Sequence, residues 1–304
     1  MSPRYRSLNS FLKERFGERV YRVSVDAGFT CPNRDGSKGT GGCAYCNESG
    51  SRAAYVEPEF TVAEQLRRGK EIVSRIYGAG KFITYFQPYS NTYAPVEQLE
   101  RLYREALAVP DIAGIAIGTR PDTLNAETAE LLAGLAKESL VILELGAQSM
   151  KDGVLRGIGR GHSADDTLRA FELVRGRGIH LAAHLIFGLP GENSDETIDG
   201  VTALSHAGAD GFKFHHLYIE RGTRMEAAYR AGGISLLTLD EYIGLLGRAL
   251  DILPPDAVIH RLFGQSSAEM LVAPEWTLDK PRNMRALEEY LDTHGITQGR
   301  NYQK

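Results

Sequence analysis

Residues 140–145 read Leu-Val-Ile-Leu-Glu-Leu. A run this apolar is expected of a strand buried on both faces, as in a parallel sheet covered by helices. A helical stretch precedes it, Glu127–Lys137, and another follows, Ser163–Arg175, with Ser163 at the N-cap. Strand, turn and helix then recur in both directions along the chain. Tyr21–Asp26 (YRVSVD) alternates and reads as a first strand, and Lys81–Phe86 as a second. Between them Thr61–Tyr77 has helical spacing at Val62, Leu66, Ile72 and Ile76, with Thr61 and Glu64 as a capping box. Val96–Leu107 reads as a helix and Ala113–Ile117 as the third strand, which makes 140–145 the fourth. Ile179–Phe187 is the fifth, Ser194–His206 a helix capped by Ser194, and Gly211–Ile219 the sixth. A helix over Thr238–Leu253, one more strand at Val258–Leu262 and a terminal helix over Arg282–Leu291 complete the reading.

Six βα units in series predict an α/β fold, a parallel sheet with helices outside, either barrel-like or doubly wound. In both, ligands sit where the strands end. The chemically distinctive residues fall there: the loop 27–55, Gln87, Thr119–Arg120, Glu144, the turn Gly188–Glu192 and Tyr218–Gly222.

Composition sets the outer bounds. With 42% hydrophobic and 24% charged residues among 304, the chain is not of the disordered class. No apolar run is long enough for a transmembrane helix, and the polar, basic N-terminus has no secretory apolar segment. A soluble cytoplasmic protein with no membrane partner is expected. The formal charge of −4 argues against coating nucleic acid by bulk charge. Both ends are locally basic, through Arg4, Arg6, Lys13, Arg15, Arg19 and Arg22, and through Lys280, Arg282, Arg285, Arg300 and Lys304. Such ends suit phosphates as well as a plain solvated surface.

All three cysteines lie in one glycine-rich loop, Cys31, Cys43 and Cys46, spaced C-x11-C-x2-C. An odd, crowded set is no disulfide framework. Three thiolates leave one iron of a [4Fe–4S] cluster open to an outside ligand. A zinc site would need a fourth protein ligand, and the loop holds no histidine. Thioredoxin-type redox chemistry would leave Cys31 unexplained.

The cysteine loop after the first strand, with Tyr45 just before the last cysteine, resembles the radical S-adenosylmethionine (radical SAM) superfamily. The long first gap is similar to the branch that includes the elongator catalytic subunit, and above all to its YhcC/YtqA-like subgroup. The resembling segments run through nearly the whole chain: GFTCPNRDG, GGCAYCN, YFQPYSNTYAP, IGTRPDTL, LELGAQS, GRGHS, HLIFGLPGE, FKFHHLYIERGT and IHRLFG. The resemblance implies a partial (β/α)6 TIM-like barrel with a C-terminal helical and strand extension. It implies a single radical SAM domain over residues 1–304, with its core at about 20–222, a basic N-terminal helix at 1–19 and the extension at 223–304.

It further implies that Cys31, Cys43 and Cys46 hold a [4Fe–4S] cluster, that S-adenosylmethionine (SAM) binds the open iron, and that its cleavage yields a 5′-deoxyadenosyl radical. The cofactor-side candidates are Tyr45, Gln87, Glu144, Gln148, Gly188 and Pro190. Gln87 stands where many members have a Gly-Gly-Glu turn for the methionine ammonium, and it lacks the carboxylate charge. Glu144, a lone carboxylate in an apolar strand, needs donors, from ribose hydroxyls or from a structural partner, with Gln148 and Ser149 in the following turn. Gly188 and Pro190 belong to the strand-five motif that packs against adenine.

The substrate-side candidates are Arg160, His162, His184, Lys213 and His215. Arg120, Arg156, Arg160 and His162 are expected to cluster after strands three and four. Lys213 and His215 share one face of strand six and His216 takes the other; which face is interior stays open, as does a role for Glu220. Tyr89 and Tyr93 are read as a stacking platform or a rim cover. The subgroup resemblance implies modification of the wobble-uridine side chain of tRNA, with an electron donor such as flavodoxin or ferredoxin. A radical SAM enzyme acting on a small metabolite, and a zinc-stabilised non-catalytic binding module, are the alternatives.

Overall fold

The computed structural model describes residues 4–47, 56 and 59–303. The part of the 27–55 loop beyond residue 47, and Lys304, lie outside the described residues. The chain runs α1 (Leu8–Phe16), β1 (Val20–Val25), α2 (Val62–Tyr77), β2 (Lys81–Phe86), α3 (Val96–Leu107), β3 (Ile112–Thr119), α4 (Ala126–Ala136) and β4 (Leu140–Gln148). It continues through α5 (Asp152–Gly157), α6 (Ala164–Val174), β5 (His180–Phe187), α7 (Ser194–His206), β6 (Gly211–His216), β7 (Ile219–Glu220) and α8 (Arg224–Arg230). The last elements are α9 (Leu239–Ile252), β8 (Val258–Arg261), β9 (Leu271–Ala273) and α10 (Lys280–Thr293).

The main sheet has the order β1-β2-β3-β4-β5-β6-β8, parallel throughout. A doubly wound sheet reverses strand order at a switch point. This one never does, so the barrel-like alternative is the one formed, a partial TIM-like barrel with helices outside. The further strand expected at Val258–Leu262 forms as β8 and joins the barrel sheet as its seventh strand, from the segment after residue 222. The expected sixth strand is shorter than read: it stops at His216, and Ile219–Glu220 pairs antiparallel with β9 instead. The cap of α7 also differs. Asn193, not Ser194, is the N-cap, accepting from the amides of Asp195 and Glu196, and Glu196 completes the capping box. The Thr61–Glu64 and Ser163 caps form as expected.

Alternation along each strand sorts the residues. On β4, Val141, Leu143, Leu145 and Ala147 join the main core. Leu140 and Ile142 point to the other face, and there meet Val20, Ile83, Ala116 and Val258, together with Leu8 and Leu12 of α1. The N-terminal helix thus plugs the end of the barrel where the strands begin. A buried leucine such as Leu12 contributes about 1.5–3 kcal/mol in this role. With that end filled by apolar side chains, the polar inward residues fall toward the C-terminal ends of the strands. Among the described residues no helix is long and apolar enough to cross a membrane.

Candidate active site

A cavity of about 240 Å³ lies over the C-terminal ends of the strands. Cys31, Cys43 and Cys46 all line it. Their loop is folded by its own backbone: the amides of Arg34 and Asp35 turn back to the Cys31 carbonyl, and the Cys46 amide to that of Cys43. Asn33 then pins the loop to the segment after β4, donating from Nδ2 to the carbonyls of Gly159 (2.8 Å) and Arg160 (3.0 Å). Gly161, at φ +73°, makes this approach possible, since a Cβ there would lie 2.7 Å from Asn33 Oδ1.

Each sulfur has an arginine aimed at it. Arg34 lies 3.2 Å from Cys46 Sγ, Arg160 3.5 Å from Cys43 Sγ, and Arg120 3.9 Å from Cys31 Sγ. Asn33 Nδ2 adds a fourth donor, 3.3 Å from Cys43 Sγ. Burial pushes the Cys43 thiol up, but Arg160, Arg120 and Asn33 outweigh it, and its pKa falls below the usual thiol range. At Cys46 burial prevails over Arg34 and the thiol is raised. The donor set suits sulfurs that carry negative charge. Among the described residues no three His, Cys, Asp or Glu side chains form a group able to hold one metal ion. Three cysteines that line one cavity, each with a hydrogen-bond donor aimed at its sulfur, fit the [4Fe–4S] group.

A second constellation sits deeper. Glu144 is buried, and its Oε1 accepts from Arg22 (2.8 Å) and lies 3.2 Å from His260 Nδ1. Its Oε2 accepts from the Tyr85 hydroxyl (2.7 Å) and from Lys213 Nζ (2.9 Å). Burial alone would raise this carboxyl, but Lys213, Arg22 and His260 hold it well below the ordinary carboxylate range. Of the two sources of donors read for Glu144, ribose hydroxyls or a structural partner, the structure shows structural partners, four side chains of the protein, while Glu144 also lines the cavity. Burial, offset in part by Glu144, brings Lys213 down to about 8.

The strand-six question is resolved. Lys213 and His215 both face the cavity, and the His215 ring meets His184 edge-on at 4.4 Å between centroids. His216 also borders the cavity, but its ring packs against Tyr242 and Trp276 and bonds Thr277. Burial holds both His184 and His215 well below the usual histidine range, so they are neutral, and the Nε2 of each has no hydrogen-bond partner among the described residues.

The other candidates divide. Tyr45, Gln87, Gln148, Arg120, Arg160, Tyr89 and Glu220 line the cavity. Gln87 accepts from Ser24 (3.2 Å). Gln148 has a positive φ of 68°, and its Oε1 is buried with no partner among the described residues. His162 stands behind Arg160, accepting from its Nε at 3.0 Å, and burial lowers it to about 4. Arg156 points away, exposed on α5, so the expected four-residue basic cluster contains three. Gly188 and Pro190 do not line the cavity: Gly188 faces Leu237, and Pro190 is exposed. Ser149 bonds Glu192 (2.5 Å), and Tyr93 bonds Ser37 (3.1 Å) at the rim. Sequence reasoning missed Arg22, Asn33, Arg34, Tyr85, His260 and Arg261. Arg34 carried a signal as a cation inside the cysteine loop, and Asn33, Tyr85, His260 and Arg261 lie in segments of the family resemblance.

Comparisons with known proteins agree with this architecture. Residues 34–201 match the model of the Radical SAM superfamily, and residues 209–293 that of the Radical SAM C-terminal domain. The chain is 34% identical over 301 residues to the protein YtqA of Bacillus subtilis (strain 168), covering 99% of this chain and 94% of that one. It is 35% identical over 286 residues to the protein YhcC of Escherichia coli (strain K12), covering 94% and 91%. The archaeal Methanocaldococcus infernus Elp3, with an N-terminal deletion, has the same fold at a TM-score of 0.70 and 18% identity, over 92% of this chain and 64% of that one. The chain belongs to the radical SAM superfamily, and is a SAM-dependent enzyme of that class. Within the superfamily it falls in the YhcC/Elp3-like branch. Membership implies a [4Fe–4S] cluster and SAM.

Proposed function

We propose that Cys31, Cys43 and Cys46 hold a [4Fe–4S] cluster with one iron left for SAM, and that the enzyme modifies the wobble-uridine side chain of tRNA. When bound, the cluster supplies the electron that cleaves SAM to a 5′-deoxyadenosyl radical. The observation that carries the reading is the arginine aimed at each of the three sulfurs. Arg34, Arg160 and Asn33 stabilise the thiolates and tune the group they hold. Gln148, which lines the cavity and has a buried carbonyl oxygen without a partner among the described residues, offers an acceptor to the ammonium or the ribose of SAM, and Gln87 offers another just after β2. Tyr45 closes the wall beside Cys43 and Cys46, and excludes water from a site where a carbon radical would attack most C–H bonds.

The tRNA reading is supported by membership of the branch that includes the elongator relatives and by the basic ends of the chain. The protein acts in the cytoplasm, with an electron from a flavodoxin- or ferredoxin-type donor. The test is anaerobic incubation with SAM, dithionite and bulk tRNA, followed by nucleoside analysis. A changed wobble nucleoside that depends on SAM is expected. Formation of 5′-deoxyadenosine with every nucleoside unchanged would overturn the tRNA reading in favour of a small metabolite.

A further inference from the structure

Five cations line the cavity: Arg34, Arg120, Arg160, Lys213 and Arg261. Four of them are committed. Arg34 bonds Cys46 Sγ and the Asn47 carbonyl. Arg120 makes a two-pronged pair with Asp122 (2.9 and 2.8 Å). Arg160 bonds Cys43, His162 and the Gly146 carbonyl. Lys213 bonds Glu144 and Tyr85. Arg261 alone has no hydrogen-bond or ion-pair partner among the described residues. Among the described residues two carboxylates line the cavity with it: Glu144 already serves Arg22, Lys213, Tyr85 and His260, and Glu220 accepts from Asn47 and Ser266.

The backbone is arranged to produce this. Gly211 pairs with Val258 and Phe212 with Ile259, but a register shift then brings Lys213 opposite Arg261. The irregularity lets two successive residues of β8 serve the interior: His260 bonds Glu144, and Arg261 lines the cavity. Such shifts beside a site re-aim a side chain. A second hollow of about 300 Å³ shares Arg261 and Gln265 with this cavity and adds Arg22 and Lys280, with no acidic residue among its described lining. A cation held partly out of water without an anion is costly. Three positive side chains, Arg22, Lys213 and Arg261, surround one carboxylate, so the wall has charge left over for a ligand.

The geometry points to Arg261 as the receptor for an oxyanion of the substrate, a carboxylate or a phosphate, on the β6–β8 wall. The cavity's cysteines have their own arginines, and none of them bonds Arg261. Lys213, opposite Arg261 in register, adds long-range charge while remaining paired to Glu144. Neutral His184 and His215, each with an unpartnered Nε2, supply polar contacts to the rest of the same ligand. The inference rests on the radical SAM cavity and not on tRNA as substrate.

The test compares wild type, R261Q and R261K as anaerobically reconstituted holoprotein. Thermal melting is followed against sodium acetate and, separately, sodium phosphate, each replacing chloride at constant ionic strength. SAM affinity is measured on the same samples. Without added anion, R261Q is expected to melt no lower than wild type, since it loses an unpaired cation. One of the anions is expected to stabilise wild type with at least tenfold higher affinity than R261Q, with R261K between them. A response to acetate identifies a carboxylate and a response to phosphate identifies a phosphate. Equal stabilisation of wild type and R261Q by both anions would overturn the proposal. So would a tenfold loss of SAM affinity in R261Q, which would make the anion the carboxylate of SAM itself. An unmodified tRNA pool alongside an Arg261-dependent anion response would remove only the tRNA reading.

Discussion

Two walls of one cavity handle charge in different ways. On the cysteine wall, Arg34, Arg120 and Arg160 point at sulfurs, and of the three only Arg120 also pairs with a carboxylate, Asp122, among the described residues. On the strand wall, Glu144 is ringed by Arg22, Tyr85, Lys213 and His260, each within hydrogen-bond distance. The first arrangement is completed by what it binds, and the second is complete as folded apart from Arg261. A buried network that satisfies itself fixes shape, whereas one that leaves donors unanswered fixes a ligand. Substitutions on the cysteine wall should therefore change chemistry with little loss of fold, and substitutions on the strand wall the reverse.

The sharpest break of that contrast is Cys43→Ser. Cluster loading and 5′-deoxyadenosine formation should both vanish in reconstituted protein, while the far-ultraviolet circular dichroism of the apoprotein stays that of wild type. Full activity in this variant would mean that the thiols are not ligands. Next in size is Glu144→Leu. Removing one partner of a buried ionic group costs about 3–5 kcal/mol, and the melting temperature should drop by roughly 1–2 °C for each of these in a chain of 304 residues. Adding Lys213→Met should recover part of the loss, because the stranded cation is gone. An unchanged melting curve for the single variant would show that the network does not stabilise the fold.

Arg160→Gln comes third. Partners that orient and charge-balance a metal ligand are worth about 10–100-fold in metal affinity or activity. SAM cleavage should fall by that range with the melting temperature nearly kept; a collapse of the fold without a specific loss of activity would put Arg160 with the structural network.

The smallest effect concerns pH. His162 titrates at about 4 when folded, because burial disfavours its charge, against 6.5 for the ordinary group. Between those values the unfolded chain binds more protons, so stability must fall as pH is lowered through the interval. From pH 6.5 to 5.5 the contribution of His162 is about 1 kcal/mol. His162→Asn should flatten the stability–pH curve there, as read by urea unfolding at each pH; a curve of unchanged slope would remove His162 from the account. His180 and His216, each brought to about 3 chiefly by burial, act in the same direction in both variants.

What the sequence disclosed follows from range. LVILEL at 140–145, the Thr61–Glu64 box and the helix over 96–107 are local patterns, and local physics builds them. The six-residue α5 (DGVLRG) and the two- and three-residue β7 and β9 are too short to show a period. Asn193 and Ser194 are both good caps, and the fold uses the first because it places Glu196 at the third position. The cysteine spacing was legible because all three cysteines share one loop. The Glu144 network was not, since Arg22, Tyr85, Lys213 and His260 come from four other strands and meet only through sheet register. Arg261 is the extreme case, brought into the cavity wall by an irregularity in that register.

The central claim is that these three cysteines hold a cluster with one iron left for SAM. Anaerobic reconstitution with iron and sulfide, followed by SAM and dithionite, tests it directly. A brown protein with about four irons per chain and 5′-deoxyadenosine that disappears in each of the three Cys→Ser variants is the predicted result. A colourless protein, or a brown one that leaves SAM intact, would contradict it.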